Sequence, residues 1–233
     1  MKIQVFPDAD IVAQAAASLV AEAARNAAAA RGRFVMAVSG GHTPWQMLRA
    51  LANEVVPWPA VHVFQVDERV APPGDKDRNL THLRESLLSH APLDESQIHP
   101  MPVEDPDLPA AAARYATELL NVAGMPAIFD LVHLGLGPDG HTASLVPGDP
   151  VLEVTDFDVA VTGVYQGRRR MTLTYPVLNR ARTVLWLATG GSKADMLVRL
   201  CDGDPAIPAG RVNRAAANLL ADEEAASKLE ARP

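Results

Sequence analysis

His141 stands in Gly135-Leu-Gly-Pro-Asp-Gly-His-Thr-Ala-Ser144, a stretch whose residue types suit proton transfer beside a bound ligand. The apolar run from Phe129 precedes it, and the composition then turns abruptly to Gly, Pro, Asp and His. A buried strand that empties into a ligand-binding loop has this pattern. An imidazole titrates near ~6.5 when unperturbed, so its neutral form is available as a base at neutral pH. His141 is therefore the candidate catalyst among seven histidines. His133 and His62 lie inside apolar strand patterns, and His82, His90 and His99 fall on expected helix or loop surfaces.

Two further clusters could bind a ligand. Ser39-Gly-Gly-His-Thr-Pro44 follows the apolar Phe34 to Val38, with Thr43 placed as a helix N-cap and Pro44 as the first helical residue. Gly40 and Gly41 would let backbone N–H groups approach a phosphate closely, and an ordinary tight turn fits Ser-Gly-Gly equally well. Neither a P-loop nor a dinucleotide fingerprint is present. Asp67-Glu-Arg69 ends the strand-like Val61 to Val66, where open parallel sheets place their ligands; a solvated strand end is the plain alternative. The long irregular loop Ala71 to Arg78 favours the functional reading and is a candidate lid. Arg168 to Arg170 read as a solvated edge.

The elements that must position these residues alternate. Asp8 to Arg31 is an Ala-rich helix with Asp8 or Asp10 as N-cap. Asn79 can cap a helix through Leu88, a short strand fits Gln97 to His99, and another helix runs from Pro109 to Val122. Strands are expected at Val159 to Val164, before Thr174 and at Thr183 to Thr189. The last of these runs into Gly190-Gly-Ser-Lys193 and a helix from Ala194 to Leu200. A final Ala/Glu-rich helix is expected to fray from Lys228 to Pro233. This alternation predicts one α/β domain over residues 1–233, with a mostly parallel sheet and helices on both faces.

Composition bounds the rest. A net charge of -7 argues against a general nucleic-acid binder. No apolar segment approaches the roughly 20 residues that cross a bilayer, and the start lacks a signal-peptide pattern, so a cytoplasmic protein is expected. Cys201 is the lone cysteine, which rules out an internal disulfide and a multi-thiolate metal site within one chain. The acidic and histidine positions show no recognisable metal-ligand spacing, so no metal is expected.

Taken as an ordered set, Ser39 to Pro44, Asp67 to Arg69 followed by Asn79, Gly135 to Ser144, Arg170 to Thr174 and Gly190 to Lys193 resemble the 6-phosphogluconolactonase family. The resemblance implies a modified Rossmann-like sheet shared with glucosamine-6-phosphate deaminases. Those deaminases typically carry Asp-Glu-Tyr and a histidine followed by Ile-Ala-Phe-Asn-Glu, whereas this chain has Asp67-Glu-Arg69 and His141-Thr-Ala-Ser144. Val146, where Phe is common, and Arg78, where Ser is frequent, depart from the pattern. The family also treats the His42 position as variable.

The implied reaction is hydrolysis of 6-phospho-D-glucono-1,5-lactone, in the pentose phosphate pathway, without cofactor. Opening such a lactone needs water at the C1 carbonyl, a base and oxyanion donors, and no covalent nucleophile. His141 would be the base, Asp139 would orient it or hold the loop, and Arg69 would bind substrate and favour the oxyanion. Asp67 and Glu68 would contact sugar hydroxyls or anchor Arg69. The resemblance assigns the phosphate to Ser39, Gly40, Gly41, Thr43, Arg170 and Lys193. The expected partner is a small sugar phosphate, with no nucleic acid or membrane, and the expected state is a monomer or weak homo-oligomer. The competing readings are a sugar-phosphate isomerase-deaminase and a sugar-phosphate-binding regulator.

Overall fold

Strands that are apolar at every position need cover on both faces, and Phe34 to Val38 is buried throughout. The computed structural model describes residues 1–229. The chain runs β1 (Lys2–Phe6), α1 (Ala9–Arg31), β2 (Phe34–Val38), α2 (His42–Leu51), β3 (Val61–Gln65), β4 (Asp67–Arg69) and α3 (Asn79–Leu83). A π-helical stretch, Arg84–Leu88, extends α3. Next come β5 (Ile98–His99), α4 (Leu108–Ala123), β6 (Leu131–Gly135), β7 (Val159–Val161), β8 (Arg170–Leu173) and α5 (Tyr175–Arg180). The described chain closes with β9 (Val184–Ala188), α6 (Ala194–Asp202), β10 (Ala217–Asp222) and α7 (Glu223–Ala226).

Seven strands form one sheet of order β1-β10-β9-β6-β2-β3-β5, and every pairing in it is parallel. Side chains alternate between its faces. Phe34, Met36 and Val38 join Val20 of α1 and Met47 and Leu51 of α2 in one cluster. Val35 and Ala37 join Tyr115 and Leu119 of α4 and Leu197 of α6 in the other. The expected parallel sheet with helices on both faces is therefore present. A second, antiparallel sheet of order β4-β8-β7 lies outside the sequence expectation.

Both ends of the chain also depart from it. Lys2–Phe6 and Ala217–Asp222 are strands, and the expected C-terminal helix shrinks to Glu223–Ala226. Ala and Leu favour a helix locally, yet β10 is paired on both sides and buries Leu219 and Leu220 in opposite clusters, which overrides that preference. The fraying expected up to Pro233 falls in part on residues 230–233, outside the described residues. At the other end of the sequence Asp8 does cap α1, accepting from Ile11 N–H at 2.8 Å.

Candidate active site

Parallel pairing puts the carboxyl ends of β2, β3, β6 and β9 on one edge, and each runs into a singled-out motif. The chain builds β2, β3 and β5 outward in one direction and then returns to place β6 on the other side of β2. That reversal opens a crevice between the loops after β2 and β6, the place where open α/β sheets bind ligands. A cleft of roughly 180 Å³ lies there. Ser39, Gly40, Asp67, Arg69, His141, Arg170 and Lys193 all line it. Gly41, Thr43 and Asp139 are not part of this lining.

His141 and Asp139 form the tightest polar contact of the β6 loop. The His141 ring Nδ1 lies 2.5 Å from Asp139 Oδ1, which also accepts from His141 N–H at 3.1 Å. Burial pushes the Asp139 carboxyl up, but those hydrogen bonds, the neighbouring imidazole and the Tyr165 hydroxyl outweigh it and hold it below the usual carboxylate range. A carboxylate on Nδ1 leaves Nε2 as the ring nitrogen able to act as a base. The loop can close this way because residue 137 is glycine: a Cβ there would sit 2.2 Å from His141 Nδ1.

The charged β4 segment is buried rather than solvated. Asp67 accepts from Ser144 Oγ at 2.6 Å and from Asn79 Nδ2 at 3.2 Å, and Asn79 Oδ1 accepts a short hydrogen bond from Arg69. Ser144, Asp67, Asn79 and Arg69 thus form one chain of contacts that aims the guanidinium. Gly40 packs on its middle, since a Cβ at that position would lie 1.9 Å from Asn79 Oδ1. Glu68, fully buried, accepts from Gln65 Nε2 and from the N–H groups of Arg69, Asn79 and Leu80. Its carboxylate therefore caps α3, so Asn79 is the first helical residue and not the cap. Arg78 lies 3.0 Å from both Glu68 and Glu104, although its Nε–H is not aligned for a hydrogen bond.

On the β2 side, Ser39 donates its hydroxyl to His133 O at 2.9 Å and its N–H to His133 Nδ1 at 3.3 Å. Helix α2 begins at His42 with Gly41 as N-cap, two residues earlier than expected. Thr43 sits in the first turn, where its hydroxyl meets that of Thr189 at 2.6 Å and ties the β2 and β9 loops together. Pro44 has no N–H, so the open start of α2 presents the donors of Gly41, His42 and Thr43. Gly190 N–H is held by the Asp222 carboxylate at 2.9 and 3.0 Å, which fixes the loop that delivers Lys193.

Arg170 is 4% exposed, and its Nε has no partner among the described residues. Burial and the neighbouring Arg69 lower its pKa against the opposing pull of Asp67 and Tyr165. Burial lowers that of Lys193 as well, with Asp139 opposing. The buried Arg170 and the half-buried Lys193, beside Arg69, make a site whose charge is compensated best by an anion.

Some expected surface residues are engaged elsewhere. His99 is buried, stacks on Phe64, and bridges Glu118 and His62 at 2.6 and 3.1 Å. Arg168 is half-buried and pairs with Asp75 and Asp77, pinning the 71–78 loop to the hairpin before β8. His133 is buried as expected, and desolvation pushes its pKa down to about 3. Asn79, Ser144 and Tyr165 support the site without being individually identifiable from the sequence. Asn79 and Ser144 are visible in the sequence only as parts of motifs, and a single Tyr in a loop carries no periodic signal. Among the described residues, no three His, Cys, Asp or Glu side chains converge as a metal centre would require.

Residues 7–221 match the family described as glucosamine-6-phosphate isomerases/6-phosphogluconolactonase. The chain belongs to this family. The 6-phosphogluconolactonase of Mycobacterium tuberculosis is 41% identical over 241 aligned residues, 97% of this chain and 98% of that protein. The structure of 6-phosphogluconolactonase from Trypanosoma cruzi superposes with a TM-score of 0.86 at 26% identity, covering 98% of this chain and 96% of that one. A monomeric glucosamine-6-phosphate deaminase shares the fold, with a TM-score of 0.83 at 20% identity over 98% of this chain and the whole of that one. The fold is common to both activities, so the site must separate them.

Proposed function

We propose that this chain hydrolyses 6-phospho-D-glucono-1,5-lactone to 6-phosphogluconate. The observation that carries the reading is the His141–Asp139 contact in a cleft that also holds Arg69, Arg170 and Lys193. The similarity to 6-phosphogluconolactonases over nearly the full length supports it.

Arg170, Lys193 and the backbone donors of Gly40 and Gly41 at the start of α2 hold the distal phosphate. Thr43 and Ser39 shape that turn through Thr189 and His133. His141 keeps its Nδ1 proton towards Asp139, and its Nε2 removes a proton from the water that attacks the lactone C1 carbonyl. The carbonyl oxygen becomes an oxyanion, stabilised by Arg69, which Asn79 and Asp67 aim. Collapse of the tetrahedral intermediate breaks the bond from C1 to the ring oxygen, which receives the proton from the His141 imidazolium. No cofactor enters these steps. The chain works as one domain, since the cleft draws on the ends of β2, β6 and β9, and it acts in the cytoplasm as a monomer or weak homo-oligomer.

The test compares the phosphorylated lactone with unphosphorylated glucono-1,5-lactone. Arg170→Ala and Lys193→Ala should each raise KM for the phosphorylated substrate by roughly tenfold or more, as loss of a charge-assisted contact does. Equal losses on both substrates would contradict the phosphate assignment. Ammonia release from glucosamine 6-phosphate would favour the deaminase reading instead.

A further inference from the structure

Tyr165 contacts both the His141–Asp139 pair and Arg170. Its hydroxyl donates to Asp139 Oδ2 at 3.1 Å, on the carboxylate oxygen that His141 does not use. Its ring meets the His141 ring edge-on, 5.6 Å between centroids at 67°. The Arg170 guanidinium carbon lies 5.0 Å from the centre of the same ring, within cation–π range.

The backbone holds Tyr165 in place for this. Tyr165 and Arg168 exchange N–H to O bonds of 3.0 and 3.2 Å across a two-residue turn. Gln166 and Gly167 have φ of 52° and 78°, the left-handed pair that a tight type I′ hairpin requires. Arg168 fastens the tip to Asp75 and Asp77, and Gln166 Oε1 accepts from Arg170 at 3.2 Å.

We infer that Tyr165 is a positioning residue that couples the His141–Asp139 pair to Arg170. With one oxygen of Asp139 occupied by the Tyr165 hydroxyl, the other stays turned to His141 Nδ1, which fixes the ring orientation and keeps Nε2 unprotonated. The ring face holds the Arg170 guanidinium in place. This inference rests on the lactonase reading for its kinetic arm and is independent of it for its spectroscopic arm.

Two variants separate the contacts. Tyr165→Phe removes the hydroxyl and keeps the ring, so kcat should fall about tenfold with KM within twofold, because a base displaced by a fraction of an ångström loses most of its advantage. Tyr165→Leu removes both, so kcat should fall similarly and KM should rise at least threefold. ¹⁵N chemical shifts of the His141 ring should report a dominant Nδ1–H form in the unaltered protein and a mixture of both neutral forms in Tyr165→Phe. Unchanged kcat and ring shifts in Tyr165→Phe would overturn the inference while leaving the lactonase reading in place. Equal changes of kcat and KM in both variants would also overturn it, as general loosening. Should the unaltered protein hydrolyse no lactone, the lactonase reading fails, and the ring shifts still decide the role of Tyr165.

Discussion

Replacing Gly137 by alanine should disable the site while sparing the fold. A Cβ at residue 137 would stand 2.2 Å from His141 Nδ1, 2.3 Å from Cε1 and 2.6 Å from Cγ. Ordinary contact begins near 3.4 Å, so the ring must retreat by about 1.2 Å, the difference between 3.4 and 2.2 Å. That displacement breaks the 2.5 Å contact with Asp139. Misplacement of a reacting group by about 1 Å costs on the order of 10²-fold in rate. Stability should change little, because Gly137 is not among the glycines of positive φ and the half-buried imidazole has room to move towards the cleft. The assay is steady-state lactone hydrolysis corrected for spontaneous opening, run beside thermal unfolding. Near-native kcat in a folded Gly137→Ala protein would refute the claim that the ring must lie against this glycine.

Two further outcomes test the supporting structure. Arg78→Ala leaves the fully buried Glu68 without its cation, so unfolding in urea should show a loss of about 3 kcal/mol; a loss below about 1 kcal/mol would mean that the four donors on Glu68 suffice. His133 binds a proton near pH 3 when folded and near ~6.5 when unfolded, so its contribution is complete above ~6.5 and declines as pH falls towards 3. At pH 5 the loss is about 2 kcal/mol, and His133→Asn should shrink the stability difference between pH 7 and pH 5 by a similar amount.

The parts of this molecule written in local pattern were legible in its sequence. Asp8 announced α1, the apolar runs at 34–38, 61–65, 131–135 and 184–188 announced the central strands, and their parallel order then assembled the cleft from motifs up to about 150 residues apart. What escaped depends on partners distant in sequence. β10 reads as helix until β1 and β9 flank it, and Glu68 reads as a site residue until α3 is seen to start on its carboxylate. Thr43 looks like an N-cap because its β9 counterpart, Thr189, lies 146 positions away. Arg168 reads as solvated because the aspartates it meets sit in another loop. Tyr165 belongs to the same class: only the hairpin and the β6 loop together bring its hydroxyl to Asp139.

The most direct test of the proposed chemistry is the turnover of 6-phospho-D-glucono-1,5-lactone by His141→Ala beside the unaltered protein, each corrected for spontaneous hydrolysis. Loss of the general base should lower kcat by at least ~10²-fold with folding intact. Undiminished turnover by the folded variant would contradict the assignment of His141 and, with it, the mechanism built on its contact with Asp139.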